Sequence, residues 1–314
     1  MNSLNRIANP GKLSLGLVFP IEAYQGSVAT MKDQELLAKR AEEIGLSALW
    51  FRDVPFNDPN FGDAGQLYDP WIYMTHIMNH TSSITLATGS IILPLRHPVH
   101  TAKSIQSLQK LSEGRLVLGV ASGDRPIEFP AFNQELQNKS ALFRDSFFYT
   151  KALLGNYPVY TSESYGKLNG SIDVLPKSDH KTSFLITGHS GQSLDWIAQY
   201  GDGWLYYPRD IRTLQENMEN WKSALNNYGQ PYKPFIQSLY IDLVEDENAK
   251  PTPLHLGFRS GSKYLLYYLE MLESNGVAHV ILNLKYSSKS ANSVVETLAK
   301  KIMPRFAVKD GAPV

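Results

Sequence analysis

A glycine-flanked serine lies in the segment TGHSGQ, between an apolar run and a helical pattern. The apolar run ends at Thr187, and the loop that follows contains Gly188, His189, Ser190 and Gly191. Glycines allow the backbone to approach a ligand closely, and the first N–H groups of a helix lack internal partners. Two roles for Ser190 are therefore open: it binds a phosphate group of a cofactor or substrate, or it only caps a helix.

The same serine raises the alternative of a hydrolase nucleophile. The nucleophile elbow, G-x-S-x-G, requires glycine where this chain has Gln192, and no acid–histidine order is evident. A Walker loop is excluded because no Gly-Lys-Ser/Thr follows the glycines, and G-x-G-x-x-G is missing. A serine hydrolase thus remains an alternative with an incomplete motif.

Other candidate residues lie at or just after the ends of three further apolar runs. Arg52 and Asp53 follow the run 48–51, Gly89-Ser90 end the run 84–90, and Ala121-Ser122 lie near the end of 115–123. Small residues at strand ends leave space for a flat ligand. The turn Asp124-Arg125-Pro126 is read as an ion-paired turn.

Arg96, His97 and His100 form a group that could suggest a metal or acid–base site. No carboxylate stands near them at ligand spacing, and histidines at a helix start usually cap or pack. We predict no metal site.

The composition excludes several classes of function. The 314 residues include 30 Lys+Arg and 30 Asp+Glu, so the net charge is zero and neither nucleic acid nor a membrane is an expected partner. Cysteine is absent, which rules out disulfides and thiolate chemistry. No signal peptide or membrane-spanning run is evident, and we expect a cytoplasmic protein that acts on a small molecule.

Apolar strands and helical patterns alternate along the whole chain. Strands are predicted over 13–20, 48–51, 84–90, 115–123, 182–187, 203–206, 234–243 and 277–284. Helices are predicted near 36–44, 70–80, 98–112, 139–154, 192–200, 209–228, 259–275 and 291–303, with an irregular excursion or hairpin at 155–181.

Eight such units without a linker favour an α/β fold with a single (β/α)8 TIM barrel over residues 1–314, with loop insertions. A doubly wound sheet is the alternative. In a barrel, functional residues lie at the carboxyl ends of the strands, where the candidates above are found.

Two segments carry a family resemblance: TGSIILPLRHPVHTAKSIQSLQKLSEGRLVLGVASG (88–123) and ITGHSGQSLDWIAQYGDGW (186–204). The R-H-P, L-S-x-G-R-L-x-L-G-V-x-x-G and A-x-x-G-D-G-W patterns resemble those of the bacterial luciferase-like monooxygenases, which are (β/α)8 flavin and deazaflavin enzymes. The similarity covers about residues 13–303. The motifs R-D-V-P-F and S-G-D-R-P resemble an uncharacterised subgroup of luciferase-type oxidoreductases.

The resemblance implies a cofactor role for two loops. Ser190 and Gly191 match the loop that holds the flavin phosphate, with Gly188 and His189 beside it. Ser122 matches a position where luciferase has an arginine that touches this phosphate.

Under the flavin ring, Gly89-Ser90 match the site of a non-prolyl cis peptide, and Ala121 replaces a cysteine near the reactive flavin carbon. The catalytic histidine of luciferase has no match here, because Arg52-Asp53 stand at its position. Arg52 and Asp53 are therefore the candidate catalytic residues, for orienting substrate or handling protons.

The resemblance implies an FMN-dependent oxidoreductase, a monooxygenase that uses reduced FMN and O2 on a small organic substrate. It also implies a separate flavin reductase as partner and a homodimer. A deazaflavin-dependent hydride-transfer enzyme and a non-catalytic flavin-binding protein are the alternatives on the same fold.

Overall fold

Eight parallel strands form a closed barrel in the computed structural model, which describes residues 3–58, 60, 61 and 66–307. In chain order, all strands are β1 (Ser14–Val18), β2 (Ala48–Phe51), β3 (Thr85–Thr88), β4 (Ile91–Ile92), β5 (Leu116–Ala121), β6 (Val159–Ser162), β7 (Gly166–Asn169), β8 (Ser183–Thr187), β9 (Gly203–Tyr206), β10 (Phe235–Leu243), β11 (Thr252–Leu254), β12 (Gly257–Ser260) and β13 (Val277–Asn283).

Helices follow most of the barrel strands. They are α1 (Ser3–Ile7), α2 (Gln34–Glu43), α3 (Pro70–Met78), α4 (Pro98–Leu111), α5 (Glu128–Ala131), α6 (Lys139–Leu154), α7 (Leu194–Tyr200), α8 (Ile211–Asn227), α9 (Ser262–Ser274), α10 (Ala291–Lys301) and α11 (Met303–Phe306). Short 3-10 turns cover Leu93–Leu95 and Leu136–Asn138. Within the described ranges, no helix combines the length and the apolarity needed to cross a membrane.

The barrel closes in the order β1, β2, β3, β5, β8, β9, β10 and β13, and β13 pairs again with β1. Every one of these pairings is parallel. The predicted TIM barrel is therefore confirmed, and the doubly wound alternative is excluded because an open sheet has two unpaired edges.

Among its described residues, the structure contains three strand elements in addition to the eight barrel strands. β4 pairs with β5 directly after the Gly89–Ser90 turn, and β6 with β7 forms the hairpin that was predicted as one possibility for 155–181. The predicted helix 259–275 starts too early: residues 257–260 are strand β12, which pairs with β10, and the helix begins at Ser262. Part of the predicted long loop after β2, at residue 59 and residues 62–65, lies outside the described residues.

An apolar cluster fills much of the barrel interior, and α1 covers this interior at its amino-terminal end. Trp50, Leu185 and Ile281 belong to the interior cluster, and Leu4 and Ile7 of α1 pack into the same cluster. α1 was not predicted from the sequence. Because this end is covered, the opposite end, where the strand carboxyl termini meet, is the end open to a ligand.

A buried hydrogen-bonded chain fixes the barrel interior below that open end. The Trp50 indole N–H donates to His279 Nε2 at 3.0 Å, and His279 Nδ1 lies 2.7 Å from Ser14 Oγ. Because Nε2 accepts, Nδ1 carries the proton, and Ser14 Oγ in turn donates to the Ile7 carbonyl at 2.7 Å. A Cβ at Gly16 would lie within 3 Å of both rings, at 2.8 Å from His279 Nε2 and 2.9 Å from Trp50 Nε1, so this contact requires glycine.

Candidate functional site

Two adjoining cavities open at the carboxyl ends of the barrel strands. Their volumes are about 230 and 390 Å³. Both are lined by Arg52, Phe61, Gly89, Asp124, Thr187 and Tyr207, so they form one site with two compartments. We call the smaller one the polar compartment and the larger one the apolar compartment.

The polar compartment brings together most of the residues predicted from the sequence. The predicted residues that line it are Arg52, Asp53, Gly89, Ser90, Ala121, Ser122, Gly188 and Ser190. They come from the ends of β2, β3, β5 and β8, which are neighbours in the barrel. The barrel therefore brings four separate segments of the sequence together around one compartment.

The apolar compartment extends across the barrel towards β1, β10 and β13. Val18, Trp50, Leu205 and Ile281 form its apolar surface. Tyr206, Tyr240, Ser238, Asn283, His255 and Leu256 complete its lining. Such a mostly apolar space with a few polar groups is typical of a site for a small organic ligand.

Ser190 joins the ends of two barrel strands. Its Oγ donates to the Thr187 carbonyl at 2.8 Å and accepts from the Ser122 backbone N–H at 3.2 Å. Its backbone has φ of 48°, in the left-handed region. The helix cap is a different residue, since Ser193 Oγ accepts from the Trp196 N–H at 3.2 Å. The helix-cap interpretation of Ser190 is therefore wrong.

The geometry also argues against a serine nucleophile. Ser190 Oγ donates to a main-chain carbonyl, and among the described residues no histidine is hydrogen-bonded to it. Gln192, at the position that breaks the hydrolase motif, accepts from Arg144 at 2.7 and 2.9 Å and donates to the carbonyls of Ser140 and Ser190. Gln192 thus fastens the loop to α6.

Two predicted cofactor residues lie outside both compartments. His189 is exposed, and its ring packs edge-on near Trp204 and Tyr206, with centroids 5.6 and 5.8 Å away. Gly191 has φ of 71° and faces α6, where a Cβ would lie 1.8 Å from Ser140 Oγ. These two residues shape the loop rather than line the site.

Gly89 and Ser90 connect the two compartments. The peptide bond between them is cis, which confirms the prediction. The Ser90 hydroxyl is hydrogen-bonded to the Thr187 hydroxyl, and the Gly89 N–H donates to the Phe51 carbonyl at 2.7 Å. Trp50 lies directly behind Gly89, because a Cβ there would be 3.3 Å from Trp50 Cε3.

Asp53 is buried and engaged in an ion pair with Arg96. Its Oδ2 accepts from Arg96 Nε at 2.7 Å and from the Ile92 N–H at 3.1 Å, while its Oδ1 accepts from Arg96 Nη2 at 2.7 Å. Burial alone would lower the pKa of Arg96, but hydrogen bonds to Asp53 and Asp69 outweigh it and raise the pKa. Asp53 thus orients the segment around β4.

Arg52 is positioned through its backbone. Its N–H donates to Gln66 Oε1 at 3.1 Å, and Gln66 Nε2 donates to the Arg52 carbonyl at 2.9 Å. Gln66 is almost fully buried, at 2% exposure. The side chain of Arg52 lines both compartments.

Of the two histidines near Arg96, His97 caps a helix. His97 Nδ1 accepts from the Val99 N–H at 3.3 Å and so caps α4. No group of three or more potential ligand side chains that could hold a metal ion occurs in the part of the chain that the structure describes.

Arg125 and His255 line the site, although neither was singled out as functional from the sequence. Arg125 lines the polar compartment and lies 4.5 Å above the Phe61 ring, measured from its guanidinium carbon. Its neighbour Glu128 is 3.7 Å away and equally buried. His255, at the tip of the β11–β12 hairpin, reaches the apolar compartment. Of these residues, only Arg125 could have been predicted from the sequence as part of the site, because it lies just beyond a strand end.

Known proteins share both the sequence pattern and the fold of this chain. The sequence profile of luciferase-like monooxygenases matches residues 14–249. The chain belongs to the luciferase-like monooxygenase family. Its similarity to the alkanal monooxygenase alpha chain of Photorhabdus luminescens is 22% identity over 221 residues, 68% of this chain and 59% of that protein. The match therefore spans about three fifths of that relative.

Among solved structures, this luciferase-like protein superimposes on enzymes with two different cofactors. One is an F420-dependent secondary alcohol dehydrogenase in complex with an F420-acetone adduct (TM-score 0.77, 17% identity, 95% of this chain and all of that one). Another is the oxygenating constituent of 3,6-diketocamphane monooxygenase from Pseudomonas putida, in complex with FMN (TM-score 0.74, 15% identity, 95% of this chain and all of that one). At these identities the likeness establishes the fold.

Proposed function

We propose that this protein is an FMN-dependent monooxygenase that uses reduced FMN and O2 on a small organic substrate. The observation that carries the proposal is the joined polar and apolar site at the carboxyl end of the barrel, which suits a ligand with a flat ring and a charged tail. Membership of the luciferase-like monooxygenase family supports the same reaction class.

The residues of the two compartments fit such a cofactor. Ser122, Gly188 and Ser190 would hold the phosphate end, where hydroxyl groups, glycine backbone and a cation meet. The Gly89–Ser90 segment and Ala121 would lie against the ring. A Cβ at Gly188 would have no atom within 4 Å, so this backbone faces open space that a ligand can occupy.

The protein's own contribution is orientation and exclusion of water. A bound reduced flavin supplies the electrons for the reaction with O2. Trp50, Leu205 and Ile281 give the apolar compartment an apolar inner surface. Arg52 is proposed to orient the substrate, while Asp53 holds the strand ends in place through Arg96.

Deazaflavin-dependent hydride transfer is the second candidate. Its support is that two structural neighbours are F420-dependent enzymes, the alcohol dehydrogenase and a tetrahydromethanopterin reductase from Methanopyrus kandleri. A separate flavin reductase as electron donor, a homodimeric assembly and a cytoplasmic location belong to the FMN proposal.

Titration of the purified protein separates these candidates. FMN and F420 are added in parallel, and binding is followed by the change in cofactor absorbance. The proposal expects FMN to bind more tightly. Tighter binding of F420 would contradict it in favour of hydride transfer.

Formation of an oxygenated product then distinguishes an enzyme from a flavin-binding protein. NADH, a flavin reductase and FMN are supplied with a panel of small aldehydes and ketones. The proposal expects oxygenated product from at least one compound. Tight FMN binding with no product from any of them would favour the non-catalytic alternative.

A further inference from the structure

The part of the apolar compartment that β10 and β13 form contains two small polar side chains. In the parallel register of these strands, Ser238 lies opposite Ile281, and Tyr240 lies opposite Asn283. All four residues line the compartment, and neither of these fully described strands contributes a charged side chain to it. Because alternate residues of a strand share a face, Ser238 and Asn283 lie diagonally across from each other on one inner surface.

Both side chains have hydrogen-bonding atoms that no other described part of the chain uses. Asn283 Oδ1 accepts from the Lys285 N–H at 3.0 Å, which fixes the orientation of the amide. Its Nδ2 has no acceptor within the described residues, and Ser238 Oγ has no partner there either. Asn283 is only 8% exposed. A donor buried in this way lowers stability unless it meets an acceptor, so these atoms point to a ligand.

The hydroxyl groups near the proposed position of the flavin ring are, by contrast, already paired. Those of Ser90 and Thr187 are hydrogen-bonded to each other. In the closed order of the eight strands, β10 lies across the barrel from β3, and β13 lies across from β5. A ring against the Gly89–Ser90 peptide, just after β3, leaves its other face towards Ser238 and Asn283. The space between that face and these two residues is where a substrate fits.

We propose that Asn283 and Ser238 bind an oxygen atom of the substrate. The Asn283 amide and the Ser238 hydroxyl both donate hydrogen bonds, so the group that they share is an acceptor. Since β10 and β13 supply only neutral groups, and Val18 and Leu205 add apolar surface, this acceptor is an uncharged oxygen, such as the carbonyl of a ketone, an ester or an amide. The substrate is then a mainly apolar compound with such a group. The inference rests on the proposed function, because it assigns the flavin to the opposite side of the barrel.

Cyclohexanone and methylenecyclohexane test this assignment, because they have nearly the same shape and only the ketone has an oxygen. Their binding to the FMN-loaded protein is measured by calorimetry. We expect the unaltered protein to bind the ketone at least about fivefold more tightly. Ser238→Ala and Asn283→Asp should each weaken ketone binding about fivefold, and hydrocarbon binding less than about twofold.

The two variants remove donors in different ways. Asn283→Asp keeps the acceptor for the Lys285 N–H and loses only the amide donor. Asn220→Asp is its control, because it adds the same charge at an exposed position of α8 and should leave both affinities unchanged. Equal weakening of both compounds by Ser238→Ala and Asn283→Asp would show that the residues only shape the compartment, and would overturn the inference. Equal binding of both compounds by the unaltered protein would also overturn it.

FMN titrations separate the substrate from the cofactor as the source of the oxygen, because the flavin ring also carries carbonyl groups. We expect Ser238→Ala to bind FMN within about twofold of the unaltered protein. A loss of FMN affinity as large as the loss of ketone affinity would assign the ring edge to these residues and overturn the substrate role. If the unaltered protein does not bind FMN, the proposed function fails. The same comparison of the two compounds, made without FMN, then decides by itself whether Asn283 and Ser238 bind an uncharged oxygen.

Discussion

Arg96 forms a bidentate ion pair with Asp53, with Nε–Oδ2 and Nη2–Oδ1 distances of 2.7 Å each. The pair connects the end of β2 to the segment after β4, and the Ile92 N–H donates to the same carboxylate. The strand ends that line the site are thereby held at a fixed separation. Asp53 is consequently better suited to position the site than to exchange protons.

Replacing Asp53 by Asn should lower the free energy of unfolding by about 1–3 kcal/mol. The substitution removes the negative partner of Arg96, whose side chain is 26% exposed and keeps its contact with Asp69. Urea denaturation measures the change. Lys110→Gln is the control, because it breaks an ion pair with Asp179 that is largely in solvent. Equal stability of the two variants would contradict the positioning role.

Gly191 is expected to be intolerant of any side chain. Gly191→Ala forces a Cβ against Ser140 and also strains a backbone with φ of 71°, whereas Gly229→Ala strains a similar backbone, with φ of 58°, in open space. The strain alone costs about 1–2 kcal/mol. Thermal and urea unfolding should therefore show a larger loss for Gly191→Ala. Similar losses would mean that the loop does not pack on α6 as described.

The buried His279 should give the protein an acid-sensitive stability. Burial lowers its pKa from 6.5 to about 3, so the unfolded chain binds a proton that the folded protein excludes. The contribution of His279 is complete above pH 6.5 and is lost, at up to about 1.4 kcal/mol per pH unit, as the pH falls towards 3.

Urea titrations between pH 7 and pH 4 measure this slope. His279→Gln cannot take up the proton and should have a flatter acid limb than the unaltered protein. The exposed His180 serves as control, since His180→Gln should keep the original slope. An unchanged slope in His279→Gln would show that another group controls the acid response.

The barrel was predictable because its strands are short apolar runs separated by helical patterns and by glycine or proline. The bounds of α6, Lys139–Leu154, agree with the prediction to the residue. The β11–β12 hairpin was missed because both strands are short and β11 remains largely exposed, so no apolar pattern marks it.

The site was predictable where it depends on strand ends. Ser122, Gly188 and Ser190 meet because parallel strands in a barrel end on the same side. Contacts between residues that are far apart in the sequence could not be predicted. Trp50 and His279 are 229 residues apart, and Asp53 and Arg96 are 43 residues apart. Glu128 was also missed, because its burial depends on how the segment that contains α5 packs against the rest of the barrel.

The most direct measurement of the central claim is an FMN titration in which the site is physically filled. Ala121 lies where β5 ends in the polar compartment, and Ala121→Trp would occupy the space proposed for the flavin. Leu111→Trp adds the same side chain at a position on α4 that is 64% exposed. We predict that the unaltered protein and Leu111→Trp quench FMN fluorescence with equal affinity, and that Ala121→Trp binds at least about 10-fold more weakly. Equal binding by Ala121→Trp would contradict the placement of the cofactor in this site.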